Sequence, residues 1–131
     1  MSAEFSKSFV GKFGEDACAK YVKKHKRLKV LERNSTIGHL EADIIAYNKE
    51  NIVFIEVKTR NTDKHNYLRP ADAVNYKKRT NLINFAYAFV KTLPKKLQNL
   101  SIRIDVCEIY VCGDKKLKVS ELNYIENAIT K

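Results

Sequence analysis

LEADIIAYNKENIVFIEVKTR, residues 40–60, reads as two strands, Leu40–Tyr47 and Asn51–Arg60, joined by a short polar turn. Val, Ile, Phe and Ala dominate both arms, and the turn lacks the Asn-Gly pair that favours the tightest hairpins. A turn centred between Lys49 and Glu50 sets Asp43 opposite Glu56 and Glu41 opposite Lys58. Side chains alternate along a strand, so these four share one face with Ile45, Phe54, Tyr47 and Ile52. The other face, Ala42, Ile44, Ala46, Val53, Ile55 and Val57, carries no charge. Such a pair is covered on both sides and belongs inside a layered fold.

The charged end of this hairpin is costly for a fold. Opposed Cβ atoms lie about 4.5–5.5 Å apart. Two carboxylates at about 5 Å repel by roughly 3 kcal/mol at an effective dielectric of 20. A divalent cation removes that repulsion, and hard oxygens gathered this way suit Mg²⁺ or Mn²⁺. A lysine on the same face can orient water or stabilise charge on a phosphoryl transition state. The alternative is a solvated edge strand whose charges keep it soluble. The pattern alone leaves both readings standing.

Outward from the hairpin, Ser6 to Lys24 reads as a helix with an apolar stripe at Phe9, Phe13, Ala17 and Tyr21. Gly11 and Gly14 weaken it locally, as small residues do where packing is close. LKVLERN, 28–34, suits a strand, followed by a turn-like STIG. After the hairpin, Pro70 fits a first helical position, and Ala71 to Leu93 carries a stripe at Val74, Leu82, Phe85, Phe89 and Leu93 before Pro94. Ser101–Cys112 alternates through Ile102, Ile104 and Val106 as a fourth strand. A short strand at Lys115–Val119 and a helix at Glu121–Ile129 complete the reading. The core order is α-β-β-β-α-β, an α/β (α+β) fold with a mixed sheet. The helical crossover makes the last strand pair parallel.

The 131 residues form one domain, 1–131, with a hydrophobic fraction of 44% and neither repeats nor linkers. Twenty-five basic against fifteen acidic residues leave a charge of +10, which points to a polyanion, most often nucleic acid. No run approaches the roughly 18–20 apolar residues of a membrane span, and the start lacks a signal-peptide core. Three Cys make no disulfide framework. Cys107 and Cys112 lack zinc-type spacing, so reduced, buried, cytoplasmic cysteines are expected. His25, His39 and His65 have no partners at ligand spacing.

Asp43, Glu56 and Lys58 form D-x₁₂-E-V-K, which resembles the PD-(D/E)xK nuclease motif. The surrounding segments are more specific: GEDACAKYV at 14–22, LERN at 31–34, EADIIA at 41–46, VFIEVKTR at 53–60, PADAVNYKK at 70–78 and RIDVCEIY at 103–110. Together they resemble the YraN-like family of small bacterial predicted endonucleases over Phe9 to Tyr110. The resemblance implies a three-layer α/β/α restriction-endonuclease-like core. It implies Asp43 and Glu56 as metal-binding acids and Lys58 as the motif lysine. Glu41 matches a further acid, although Leu40 stands where the family has glycine, and Glu15 matches a glutamate of the first helix.

The functional expectation is a Mg²⁺- or Mn²⁺-dependent endonuclease that hydrolyses DNA phosphodiesters. Asp43, Glu56 and Lys58 are the catalytic candidates, and Asp43, Glu56, Glu41 and Glu15 the metal ligands. Lys77, Lys78, Arg79, Arg60, Lys23, Lys24, Lys26 and Arg27 are candidates for contacting nucleic acid, with Lys78 continuing the inward stripe of its helix. The run 20–29 has a plainer reading as a solvated helix end. Asp105 is expected to be a structural ion-pair partner. Two alternatives stand beside the endonuclease. One is a Holliday-junction-type resolvase, for which two cuts imply a homodimer. The other is a non-catalytic DNA-binding or processing accessory protein built on a nuclease fold.

Overall fold

The computed structural model describes residues 5–62 and 76–129. Helix α1 spans Lys7–His25. Strands β1 (Lys29–Ile37), β2 (Leu40–Tyr47) and β3 (Asn51–Asn61) follow, then helix α2 (Tyr76–Val90), the single turn α3 (Lys95–Gln98), and strands β4 (Ser101–Cys112) and β5 (Lys118–Ile125). The sheet is ordered β1-β2-β3-β4-β5. Its β3–β4 pair is parallel and the others antiparallel, as the crossover requires. One face buries Val10, Cys18 and Val22 of α1 against Ile44, Ala46, Val53, Ile55, Cys107 and Ile109. The other buries Leu82, Phe85 and Phe89 of α2 against Ile45, Phe54, Ile104 and Val106.

Local chemistry explains most boundaries. Ser6 caps α1, its hydroxyl accepting the Phe9 N–H at 3.1 Å. The Asn48 side chain closes the β2–β3 turn by accepting the N–H groups of Glu50 and Asn51 at 2.9 and 2.8 Å. Such an Asx turn does the work of the missing Asn-Gly pair. The expected stop at STIG is corrected: β1 runs on through Ser35–Ile37, and the turn is Gly38–His39, with Gly38 at φ 60°. A two-residue hairpin needs that positive φ, which glycine supplies without strain. Helix α2 ends at Val90, earlier than Leu93, where the Thr92 hydroxyl donates to the Phe89 carbonyl at 2.7 Å. The expectation for Pro70 to Asn75 lies outside the described residues.

Two expectations fail for identifiable reasons. The stripe Phe9–Phe13–Ala17–Tyr21 is a flank of α1. The inner row is Val10, Gly14, Cys18 and Val22, and Phe9 is 51% exposed, stacked on Phe5. The aromatic spacing outweighed a row of smaller residues that lets the helix sit close to the sheet. The expected short strand and terminal helix are also replaced by one strand, β5. Leu122, Ile125 and Ile129 fall at helical spacing, yet the free edge of β4 pairs with Lys118–Ile125, and Leu122 and Tyr124 turn inward. Tertiary pairing here overrides local periodicity.

Gly14 marks the closest approach of α1 to β3: a Cβ there would overlap the Thr59 side chain, whereas Gly11 faces open space. Gly14→Ala is expected to destabilise by about 1–3 kcal/mol through overpacking. Gly11→Ala should be neutral or stabilising, by up to about 1 kcal/mol. Paired urea titrations check the contrast, and equal effects would remove the close-packing account.

Candidate metal and phosphodiester site

The hairpin register matches the sequence reading from Ile44–Ile55 to Tyr47–Ile52. Beyond Ile44 the ladder stops. The Asp43 carboxylate, in place of a main-chain carbonyl, accepts the Val57 N–H at 2.8 Å. In the β1–β2 register Asn34 falls opposite Asp43, and it holds φ 51°, a left-handed conformation that Asn tolerates. At Asp43 the two faces of β2 exchange: Ile44 stays with the α1 core while Ala42 joins the α2 core. The expected alternation therefore breaks at Asp43 and places Ala42 on the opposite side.

Glu56 and Lys58 follow the splayed end along β3. Lys58 is 6% exposed, and its Nζ donates to Glu56 Oε1 at 2.8 Å. Burial, then the neighbouring Glu56 charge, push the Asp43 carboxyl up to about 7; Glu15 adds to this, while the Val57 N–H and Lys58 oppose it. Burial works against the Lys58 charge, but hydrogen bonds to Glu56 and Lys78 and the fields of Glu56 and Asp43 outweigh it and raise its pKa. Lys78, from the first turn of α2, is lowered by its hydrogen bond to Lys58 and then by burial. Of the two lysines, Lys58 holds its proton more firmly.

The remaining candidates are distributed unevenly. Glu15 follows Gly14 on the edge of the buried row of α1. It lies 3.7 Å from Arg33, which pairs more closely with Asp16 at 2.7 Å. These groups line a cleft of about 650 Å³ beside α1, with Lys7 and Lys12 on its rim. Glu41 is exposed and lies opposite Thr36 of β1. Lys77, Lys78 and Arg79 are exposed at the start of α2, and Arg60 is half-buried, its guanidinium donating to the Thr59 carbonyl at 3.0 Å. Lys23 and Lys24 at the far end of α1, and Arg27 just beyond it, are exposed, about 12 Å or more along the helix direction from Glu15. Lys26 there pairs with Glu126 at 3.3 Å and covers the Tyr124 ring.

Among the described residues, no three His, Cys, Asp or Glu side chains converge as a metal-holding group. The carboxylates that act on one another through burial and charge are Asp43 and Glu56, with Glu15 further out. A two-carboxylate set fits Mg²⁺ or Mn²⁺, because Mg²⁺ keeps several waters and is bound through one or two carboxylates plus substrate phosphate. It does not fit a structural zinc site, which needs four nitrogen or sulfur ligands.

One buried acid escaped the sequence reading. Glu108 is 2% exposed and lies beside Lys58 in the parallel β3–β4 register. The available signal was an acid inside the apolar run VCEIYVC, 106–112. Asp105, by contrast, is the structural partner expected: Arg103 Nε and Nη2 donate to its carboxylate, each at 3.0 Å.

Comparison with known proteins matches most of the chain. The model of the uncharacterised protein family UPF0102 matches residues 14–109. A UPF0102 protein of Caldanaerobacter subterraneus subsp. tengcongensis is 34% identical over 94% of this chain and 96% of its own. One from Clostridioides difficile is 36% identical over 90% and 94%. Another, from Clostridium perfringens, is 40% identical over 95% and 96%. No described helix is long and apolar enough to cross a membrane.

Proposed function

The chain belongs to the UPF0102 family, and from that premise and the geometry of the splayed hairpin we propose that it is a Mg²⁺- or Mn²⁺-dependent nuclease acting on DNA. The observation that carries the reading is Asp43: a half-buried carboxyl held up to about 7 by burial and by the charge of Glu56. A fold gains nothing from placing two acids so, whereas a divalent cation would neutralise both. The reading rests on this chemistry and on the D-x₁₂-E-V-K pattern.

Asp43 and Glu56 would hold the cation. When bound, it would supply Lewis-acid polarisation of a phosphodiester and a more acidic water. Asp43 is fixed for this task by the Val57 N–H, which orients one carboxylate oxygen and leaves the other available. Lys58, held charged in a dry setting, stabilises negative charge developing on phosphate oxygens. Lys78 and Arg60 flank it and bind the neighbouring backbone phosphates. The net charge of +10 draws the polyanion in.

The test is a panel of labelled single strands, duplexes, flaps and four-way junctions incubated with Mg²⁺, Mn²⁺ or EDTA. Cleavage with metal and none with EDTA is expected. Asp43→Ala, Glu56→Ala and Lys58→Ala should each lower it by at least about a hundredfold while leaving DNA binding detectable. Cleavage that survives all three changes after repurification overturns the assignment. Cleavage confined to four-way junctions would identify a resolvase.

A further inference from the structure

Three charged side chains are buried among the described residues: Lys58, Asp105 and Glu108. Asp105 is accounted for by Arg103, Tyr124 and the Asn127 N–H. Lys58 is accounted for by Glu56. Glu108 plays no part in the chemistry above, yet burying a carboxylate costs several kcal/mol without a compensating charge.

The register identifies that charge. Lys58 and Glu108 are direct neighbours in the parallel β3–β4 pair, so their side chains leave the same face of the sheet. Adjacent strands are about 4.8 Å apart, and both side chains are long enough to meet. That face is the α2 side, since Ile104 and Val106, on the same strand, lie in the α2 core. In the metal-free arrangement Lys58 instead reaches along its own strand to Glu56. Glu56 is also one of the two acids assigned to the cation. A carboxylate drawn to a divalent ion offers less to an ammonium, so Lys58 would be left buried and under-compensated. Glu108 is the carboxylate on the adjoining strand that can replace it.

We propose that Glu108 is a positioning residue: it serves as the counter-charge of Lys58 when Glu56 turns to the metal. The inference rests on the metal reading of the site. On this account Lys58 is shared between two acids, Glu56 without metal and Glu108 with it. Glu108 thereby lowers the cost of releasing Glu56 and raises metal affinity without itself touching the ion.

The experiment is Mn²⁺ binding by the full chain, followed by calorimetry without DNA, for wild type, Glu108→Gln, Glu108→Asp, Lys58→Met and the Lys58→Met/Glu108→Gln pair. Glu108→Gln is expected to weaken Mn²⁺ binding by about tenfold, the lower end of effects seen for groups that support metal ligands. Glu108→Asp, which keeps the charge, should stay within about threefold of wild type. In the Lys58→Met background Glu56 has no competitor, and adding Glu108→Gln should change affinity by less than about twofold. The proposal is overturned if Glu108→Gln binds like wild type, or if it loses as much affinity with Lys58 absent as with Lys58 present. Wild type that binds no Mn²⁺ removes the metal reading and this inference together. Should Glu108→Gln alone fail to fold, the double variant is expected to fold, since both buried charges are then gone; an unfolded double variant overturns the proposal.

Discussion

Asp105→Ala is expected to cost about 3–5 kcal/mol of stability, the range for removing one partner of a buried ion pair. Asp105 is completely buried in the middle of β4. Its carboxylate accepts from Arg103 Nε and Nη2, each at 3.0 Å, from the Tyr124 hydroxyl at 2.6 Å and from the Asn127 N–H at 2.8 Å. Every lone-pair direction has a donor, so the group is satisfied without water. Truncation strands a guanidinium, a phenol and a main-chain N–H. The phenol belongs to β5 and the N–H to the turn after it, so the damage should be local as well as global. Urea unfolding measures the loss, and amide exchange should show β5 opening before β2 and β3. Asp105→Asn keeps one acceptor oxygen but sets an amide NH₂ against the other donors, and should lose most of the same stability. A loss under about 1 kcal/mol for the alanine variant would mean that β5 is held by its ladder alone.

Asp43→Asn should do the opposite and stabilise the metal-free protein, by about 2–4 kcal/mol at pH 8. The sign follows from the two pKa values. Asp43 titrates near 7 in the fold and has an ordinary value of 3.8. Below the ordinary value both states are protonated, and the group contributes nothing. Between the two values the unfolded chain is ionised while the native one still holds its proton, so stability falls as pH rises. Above about 7 the full penalty is present. Asparagine keeps an oxygen to accept the Val57 N–H and adds an amide that can donate to Glu56, while never ionising. The difference between mutant and wild type should therefore vanish near pH 4 and level off by pH 8. Mn²⁺ should stabilise wild type by mass action and leave the mutant unmoved. A mutant less stable than wild type at pH 8 in EDTA would make Asp43 a structural hydrogen-bonding residue, and the metal assignment would fall.

The hairpin, its register and the parallel β3–β4 pair were legible because each depends on short-range rules: alternation, a turn four residues long, and the handed geometry of a helical crossover. Asp43, Glu56 and Lys58 could be brought to one place from those rules alone. The left-handed Asn34 could not, because it leaves no periodic trace. Ala42 changing sides and Asp43 reaching the Val57 N–H were hidden likewise. The inner row of α1 was missed because Gly14 and Cys18 are small, and spacing arguments weigh large side chains. Only the packing of Gly14 on Thr59 reveals which face goes inward. Glu108 needed the register of a strand some fifty residues further on. The tail needed knowledge that β4 had an edge to spare.

The parallel pair at the centre of the sheet also sets an order of events in folding. Asn51 pairs with Ser101 across about fifty residues, whereas β1–β2 and β2–β3 close over turns of a few residues. Hairpins form in about 1–10 μs, and long-range pairings wait on a larger loop-closure entropy. Asp43, Glu56 and Lys58 are therefore brought together early, on a hairpin still open to water, where like charges repel weakly. The late arrival of β4 completes the burial of Lys58 and delivers Glu108 beside it. The electrostatic cost at Lys58 thus falls on the step that docks β4. Changes such as Lys58→Met should consequently quicken folding to the extent that this docking is already made in the transition state.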